Sequence, residues 1–135
     1  MGDTIWVQTN DNGLADGDDY DHSFMVRLEK PLERIAKDAG LDPLSVFYDG
    51  TAMEEAYADE FGDDLPRSEP NWSDAKVGLA VITKLSKVIS DDPAKLGASV
   101  DQPSVSRLVE ELEHAKKVLR SAVRKKRQFR LLLVP

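Results

Sequence analysis

Carboxylate is the first chemical group that stands out in this chain, because five aspartates fall within residues 11–21. Clustered carboxylate oxygens are the ligands that hard cations such as Ca²⁺ prefer. The spacing departs from an EF-hand loop, however, since Tyr20 stands at the fifth position counted from Asp16 and no glutamate closes the loop. We therefore interpret the segment, called here the aspartate loop, as solvated, and we predict neither a metal nor another cofactor. Its aspartates are Asp11, Asp16, Asp18, Asp19 and Asp21.

A second group of carboxylates lies within residues 54–64, where Glu55 and Asp59 are four residues apart. On a helix these two side chains would share a face and repel each other. Proteins tolerate such repulsion where water screens it or where a basic partner neutralises it. We predict that this group and the aspartate loop form a docking surface for a basic protein, with Tyr57 as an aromatic anchor; a solvated face is the alternative. The predicted contact residues are Asp16, Asp18, Asp19, Glu54, Glu55, Tyr57, Asp59, Glu60, Asp63 and Asp64.

The two histidines, His22 and His114, are the natural candidates for acid–base catalysis. His22 stands between Asp21 and Ser23, but neighbouring residues rarely face one another, and catalytic triads are assembled from distant segments. We interpret Asp21 and Ser23 as residues that start a helix, and His114 as a surface histidine on the charged side of a later helix. No catalytic residue is predicted, and an enzyme built on the two carboxylate groups is the weakest alternative.

Composition argues against several classes of function. The chain has no cysteine, which removes disulfides, thiolate zinc sites and cysteine nucleophiles. It has no P-loop, no dinucleotide-binding glycine pattern and no paired-histidine metal motif. Residues 124–127 form a basic run, yet the formal net charge of −7 argues against nucleic-acid binding. No apolar run approaches the ~20 residues that cross a bilayer, and no secretory signal is visible, so we expect a cytoplasmic protein of bacterial origin.

The two ends of the chain predict strands, at residues 5–9 and 129–134. A lone strand would leave its backbone groups without partners, so the two strands are expected to pair. Two strands make a marginal sheet by themselves. We therefore expect helices to cover this small sheet fully, or its edge to pair with a second copy of the chain in a homodimer.

Apolar residues at helical intervals predict three principal helices between these strands. The first runs from Met25 to Ala39, and Pro31 within it predicts a kink or the start of a second helix. The second begins with Ser73 as its N-cap and contains Gly78, which would let a neighbouring element approach closely.

The longest predicted helix begins near Pro103, with Asp101 as its candidate cap, and keeps a seven-residue apolar spacing up to Ala122. The charges of the whole chain are unevenly spread, because residues 1–65 carry 17 acids and four bases while residues 66–135 carry eight acids and 14 bases. The acidic front half could therefore be neutralised internally or could face a partner.

These patterns predict one α+β domain over residues 1–135, with a small two-stranded (or dimer-extended) sheet from the N- and C-terminal strands packed against about three main helices. The predicted function is that of a non-catalytic, acidic protein-interaction domain with a basic protein as its partner. A cytoplasmic inhibitor or immunity protein that neutralises a basic toxin or nuclease is one concrete form. A homo-oligomeric structural module, joined through the C-terminal strand or the long helix, is a further alternative.

Overall fold

The computed structural model describes residues 3–61 and 68–135, and for residues 59–61 it describes the backbone alone. Within these residues the chain is an α+β fold in which five strands form one sheet. The strands are β1 (Thr4–Asp11), β2 (Leu14–Asp16), β3 (Tyr48–Asp49), β4 (Ser73–Asp74) and β5 (Gln128–Val134). The helices are α1 (Ser23–Arg27), α2 (Glu29–Asp38), α3 (Thr51–Phe61), α4 (Ala75–Asp91) and α5 (Gln102–Arg124), with short 3₁₀ helices at Leu44–Phe47 and Pro93–Leu96.

The sheet joins the two ends of the chain as predicted, but it is larger than two strands. β1 and β5 are antiparallel, with Thr4 opposite Val134 and Thr9 opposite Phe129. The strand order is β2–β1–β5–β3, and β4 pairs with β5 beside β3. The missed strands are short: β3 and β4 have two residues each and β2 has three. Segments of this length are too short to show the alternation by which strands are recognised.

β5 is an interior strand of this sheet, and this bears on the alternative in which two copies of the chain would pair through it. One of its edges pairs with β1, and its other edge pairs with β3 and β4. Little of the β5 backbone is therefore left to pair with another chain. A homodimer through α5 remains a prediction, which light scattering at high protein concentration would test.

Buried apolar side chains from the sheet and the helices form the core, and Phe129 of β5 is at its centre with no exposed surface. The Phe129 ring lies directly under Gly78 of α4, so that a Cβ atom at Gly78 would overlap the ring. The predicted close approach at Gly78 is thus confirmed. Phe47 contacts the same ring in a tilted arrangement, with 5.2 Å between the ring centroids.

The first predicted helix is two helices, α1 and α2, and Pro31 lies in the first turn of α2, where a proline is tolerated. α2 ends as predicted, because Gly40 takes a left-handed conformation with φ of 71°. The amide of Gly40 bonds to the Lys37 carbonyl, and the amide of Leu41 bonds to the Ala36 carbonyl, as in a Schellman motif.

Ser23 begins α1 as predicted, whereas Asp21 lies outside the helix; the N-cap position is His22, and no side chain of the flanking residues bonds there. Of the two predicted N-caps of the later helices, one is wrong and one is confirmed. At α4 the capping side chain is Asp74, which accepts from the Lys76 amide, rather than Ser73. At α5 the Asp101 carboxylate accepts from the Ser104 amide at 2.9 Å, as predicted.

α1 is capped instead by a residue of α5 that is far away in sequence. The Glu111 carboxylate is fully buried and accepts the backbone N–H groups of Phe24 and Met25 at 3.2 and 3.0 Å. Burial raises the pKa of Glu111, although these two hydrogen bonds oppose the shift. Glu111 therefore fixes the start of α1, and the His22 that precedes it, against the middle of α5.

Candidate functional site

The aspartate loop is attached to the end of α5 by an arginine from the predicted basic run. Arg127 contacts Asp16 with 2.8 Å between Nη1 and Oδ2, and Asp11 with 3.3 Å between Nη2 and Oδ2. The backbone of Lys126 has a positive φ of 57°, which turns the chain between α5 and β5. Two carboxylates of the aspartate loop are thus paired with a base from the rear half of the chain.

A third carboxylate of this loop begins a chain of hydrogen bonds that joins both histidines. His114 Nε2 lies 3.0 Å from Asp18 Oδ2, and His114 Nδ1 lies 3.0 Å from His22 Nε2. His22 Nδ1 lies 2.9 Å from the Ile5 carbonyl oxygen of β1. The two histidines, 92 positions apart in sequence, therefore lie in direct contact. Only 18% of the His114 side chain is exposed and His22 is fully buried, so the prediction of a surface histidine at position 114 is wrong.

The partners at the two ends of this chain determine where its protons lie. The Ile5 carbonyl can only accept, so His22 Nδ1 must carry a proton, and the Asp18 carboxylate likewise requires a proton on His114 Nε2. A hydrogen bond between the two rings needs a proton on one of the two facing nitrogens, His114 Nδ1 or His22 Nε2.

Burial makes the charged form of His22 unfavourable. Desolvation lowers the pKa of His22 from 6.5 to about 4, even though the hydrogen bond to the Ile5 carbonyl opposes this shift. Desolvation would raise the pKa of Asp18, but the hydrogen bond from His114 and that from the Tyr20 N–H together hold it below its usual 3.8. Asp18 therefore faces His114 as a carboxylate.

Tyr20 covers the histidine pair on the solvent side. Its ring stacks on His114 with 4.0 Å between centroids and 12° between planes, and it is tilted against His22 at 5.0 Å. Asp21 points elsewhere, since its carboxylate accepts from the Trp6 indole N–H at 3.1 Å. The Asp21 carboxylate is thus bonded to Trp6, whereas the ring nitrogens of His22 contact Ile5 and His114.

An open cleft of about 480 Å³ lies next to this network, and we call it the histidine cleft. One wall is the segment of residues 16–20, and the other is the second half of α5 with Arg127 beyond it. Its polar lining includes the side chains of Asp16, Asp18, His114, Lys117, Ser121, Lys125 and Arg127.

A second charged network lies on the other side of the sheet, beneath the start of α3. Asp49 of β3 is buried, and its Oδ2 atom lies 3.0 Å from Arg130 Nη1. Its Oδ1 atom accepts from the Thr51 amide and hydroxyl at 2.9 and 2.6 Å. Asp49 also accepts from the Asn71 amide, and the Arg130 guanidinium lies 4.6 Å from the Trp72 ring centroid. These contacts attach both the start of α3 and the segment before β4 to the sheet.

Several bonds hold the Asp49 carboxylate in its charged form. Desolvation would raise the pKa of Asp49, but the hydrogen bonds from Thr51 and Asn71 and the charge of Arg130 together lower it. Arg130 is in turn held by Gln8, whose Oε1 atom accepts from Nε and Nη2 at 3.0 and 2.7 Å. Asp49 and Arg130 therefore bind each other, and each has further hydrogen-bond partners within the fold.

α3 itself is an acidic helix, and Ala58 is the one buried residue among its described side chains. Tyr57 is 53% exposed and Glu55 is exposed. The Glu54 carboxylate accepts from the Ser68 amide and hydroxyl at 2.8 and 2.6 Å. No lysine or arginine occurs within the helix sequence.

The predicted contact residues fall into two separate groups. Asp16 and Asp18 lie at the β2 edge of the sheet, engaged by Arg127 and His114, and Asp19 is exposed beside them. Glu54, Glu55 and Tyr57 lie on α3, which follows β3 at the opposite edge. The side chains of Asp59 and Glu60, and the whole of Asp63 and Asp64, lie outside the described residues. The two acidic groups are therefore not brought together at one sheet edge, and their role in binding stays a prediction.

The contact between the two histidines is the feature of the candidate site that sequence reasoning missed. His114 lies one residue before Ala115, a fully buried member of the apolar stripe of α5. A histidine at the border of a buried stripe was the one local signal that it could be partly buried. Nothing in the local pattern could supply its partners, because Asp18 and His22 come from the opposite end of the chain.

No three histidine, aspartate or glutamate side chains among the described residues are grouped so that they could hold a metal ion. No helix within residues 3–61 and 68–135 is both long and apolar enough to span a membrane. In comparisons with known proteins, the chain matches no protein-family model, no curated protein and no solved structure.

Proposed function

We propose that the protein is a non-catalytic interaction domain that presents the acidic helix α3 to a basic protein. The observation that carries this proposal is Tyr57, which is 53% exposed on a helix with four acidic and no basic residues. Exposed tyrosines with charged neighbours are frequent anchors of protein interfaces. The aspartate loop is a weaker candidate than the sequence suggested, because Asp16 and Asp18 already have partners within the chain.

The charge distribution of α3 supports a role outside the folded chain. Glu55 and Asp59 are four residues apart, a spacing at which like charges destabilise a helix. Acids in the last turn also oppose the helix dipole, and Asp59 and Glu60 are in that turn. A basic partner would neutralise these charges and remove both effects.

Hydrogen bonds hold the first turn of α3, and this lowers the conformational entropy that the protein would lose on binding a partner. Asp49 holds the amide and hydroxyl of Thr51 at the first residue of the helix, and Arg130 holds Asp49. Glu54 holds the amide and hydroxyl of Ser68. A helix fixed in this way presents Glu55 and Tyr57 in a set orientation before a partner arrives.

A titration with a lysine-rich peptide tests this proposal. With the protein ¹⁵N-labelled, we expect the amide shifts to concentrate in residues 51–58. Tyr57→Ala should weaken binding roughly fivefold, as is typical of an aromatic anchor. Glu55→Gln should weaken binding as well, because it removes one carboxylate from the proposed surface.

The matched control is Glu110→Gln, which removes one exposed carboxylate from α5 and leaves α3 unchanged. Its affinity for the peptide should stay within about twofold of the wild type, the range expected of a charge outside the interface. Equal weakening by Glu55→Gln and Glu110→Gln, or shifts centred on residues 16–20, would contradict the proposal. An inhibitor or immunity protein directed at a basic toxin or nuclease is one form of the same function.

A further inference from the structure

The histidine cleft carries an excess of positive charge, although the protein as a whole has a formal net charge of −7. The cationic side chains that line it are Lys117, Lys125 and Arg127, and the anionic side chains that line it are Asp16 and Asp18. An anionic ligand would therefore find a local attraction here.

Two of these cations are not used by the folded chain. The charge of Arg127 is answered by Asp11 and Asp16. By contrast, the ammonium groups of Lys117 and Lys125 make no hydrogen bond or ion pair with any described residue. The excess charge of the cleft is thus located on these two lysines.

The helix places a neutral donor midway between the two lysines. Lys117, Ser121 and Lys125 follow one another at intervals of four and line the same cleft, so they lie on one face of α5. At a rise of about 1.5 Å per residue, Ser121 lies roughly 6 Å along the axis from each lysine. Ser121 is half-buried, and its hydroxyl makes no hydrogen bond with any described residue. Two flexible ammonium groups and one hydroxyl can therefore converge on a single group.

A phosphate group matches this arrangement, since its two charges fit two lysines and its oxygens accept from the hydroxyl. The opposite wall favours an ester over free phosphate. Asp16 and Asp18 have carboxylate lone pairs beyond those used by Arg127 and His114, and these can accept from ligand hydroxyl groups. We propose that the histidine cleft binds a small, hydroxyl-bearing phosphate monoester, with Lys117, Ser121 and Lys125 holding the phosphate.

The size and charge of the cleft indicate a small molecule rather than a nucleic-acid strand. A volume of about 480 Å³ lies within the range of small-ligand sites. A longer phosphate backbone that crossed the cleft would meet the exposed acids of the loop, including Asp19. This site does not depend on the interaction surface of α3, and either proposal can fail without the other.

Binding can be measured by titrating the full chain with inorganic phosphate, with ribose 5-phosphate and with a short single-stranded oligonucleotide, at low ionic strength and neutral pH. We expect saturable binding of ribose 5-phosphate in or below the millimolar range, about −4 kcal/mol or stronger, with weaker binding of inorganic phosphate. The amide shifts should centre on residues 114–127. No saturable binding at about 50 mM monoester, far above that range, would overturn the proposal, and so would tighter binding of the oligonucleotide.

Two double variants with the same change in charge separate a built site from general attraction. Lys117→Ala/Lys125→Ala should weaken ribose 5-phosphate binding at least about tenfold, because both cationic partners of the phosphate are lost. Lys84→Ala/Lys87→Ala removes two exposed lysines from α4, outside the cleft, and should change the affinity less than about twofold. Equal weakening by the two pairs would overturn the proposal. Thermal unfolding should confirm that both variants fold, as all four lysines are exposed.

Discussion

The carboxylates of the histidine cleft and those of the acidic helix α3 have different kinds of neighbours. In the cleft, Asp16 and Asp18 bind side chains that come from the other end of the chain, Arg127 and His114. In α3, four acids share a segment that has no basic residue. The first arrangement joins distant elements, and the second places acids such as Glu55 and Asp59 four residues apart on one helix.

This difference separates two meanings of an acidic cluster that look the same in sequence. A carboxylate with a cationic partner inside the fold stabilises the fold, so removing its charge should destabilise the protein. A carboxylate among like charges destabilises its helix, so removing its charge should stabilise the protein. The sign of the stability change is therefore a direct test of which acids are available to a partner.

The largest effect is expected at Asp49, which anchors the acidic helix to the sheet. Asp49→Ala would leave the Arg130 charge, whose side chain is 12% exposed, without its carboxylate partner. Breaking a buried ion pair in this way costs about 3 kcal/mol or more of the free energy of unfolding. Urea unfolding would measure the loss.

Asp91→Ala is the control for Asp49→Ala, because it breaks an ion pair with Lys87 in which both side chains are more than 60% exposed. Its expected loss is below about 1 kcal/mol. Similar losses in the two variants would mean that Asp49 does not anchor α3 as described.

The next effect is the pH dependence that comes from His22. Because its pKa is lowered from 6.5 to about 4, the unfolded chain binds a proton between these values that the folded chain does not bind. The free energy of unfolding should therefore fall as the pH falls from 6.5 to 4, by up to about 3 kcal/mol from this group. The titratable groups that face His22 are His114, Asp18 and Tyr20.

His22→Asn isolates this contribution, since the asparagine amide can donate to the Ile5 carbonyl but does not titrate. The unfolding free energy of the variant should depend less steeply on pH between 6.5 and 4 than that of the wild type. Glu111, whose pKa is raised, adds a pH dependence of the opposite sign in both proteins. This contribution cancels when the variant is compared with the wild type. Parallel pH profiles would show that His22 is not buried in its neutral form.

A smaller loss is expected when the charge of Asp18 is removed. Asp18→Asn keeps the shape of the side chain but takes away the anion that His114 faces at 3.0 Å. Because the Asp18 side chain is 56% exposed, solvent screens the pair and the expected loss is about 0.5 to 1 kcal/mol. The test is urea unfolding at neutral pH, and a gain in stability would place Asp18 with the acids of α3.

The smallest effect, and the one of opposite sign, is expected for Glu55→Gln on the acidic helix. Removing one of two like charges at a spacing of four should raise the free energy of unfolding by about 0.2 to 0.5 kcal/mol. Urea unfolding beside Asp18→Asn makes the comparison direct. A loss of stability would show that Glu55 is already satisfied within the fold.

Elements with a long or strongly periodic pattern were predictable. α5 keeps its apolar spacing and its Asp101 cap, and the pairing of the two terminal strands followed from the need of each backbone for partners. Gly78 predicted a close approach, because a missing side chain in an apolar helix needs a neighbour that fills the space. An apolar spacing can be read from neighbouring residues alone. The hydrogen-bonding groups of the two terminal strands had one obvious set of partners, which was each other. Both features could therefore be predicted from a single sequence.

The charged sites were not predictable, because each is built from residues that are remote in sequence. Glu111 caps α1, and His114 is the partner of His22. Both contacts depend on α5 packing against the N-terminal part of the chain, which the local sequence does not indicate. The same holds for Asp49 and Arg130, which meet across β3 and β5. Composition shows that the front half is acidic, but it cannot show which acids the rear half neutralises.

The position of β5 has a consequence for how the protein is made. β1, β3 and β4 all pair with this one strand, which is the last element described in the chain. On the ribosome, β1 is complete roughly 120 residues before β5, a delay of about 6 to 25 seconds at usual rates of translation. During that delay the part of β1 that holds Ile5 and Val7 has no strand to pair with, although both side chains are almost fully buried in the finished fold. Newly made chains therefore pass through a period in which a chaperone could bind this N-terminal strand, and which ends only when β5 emerges.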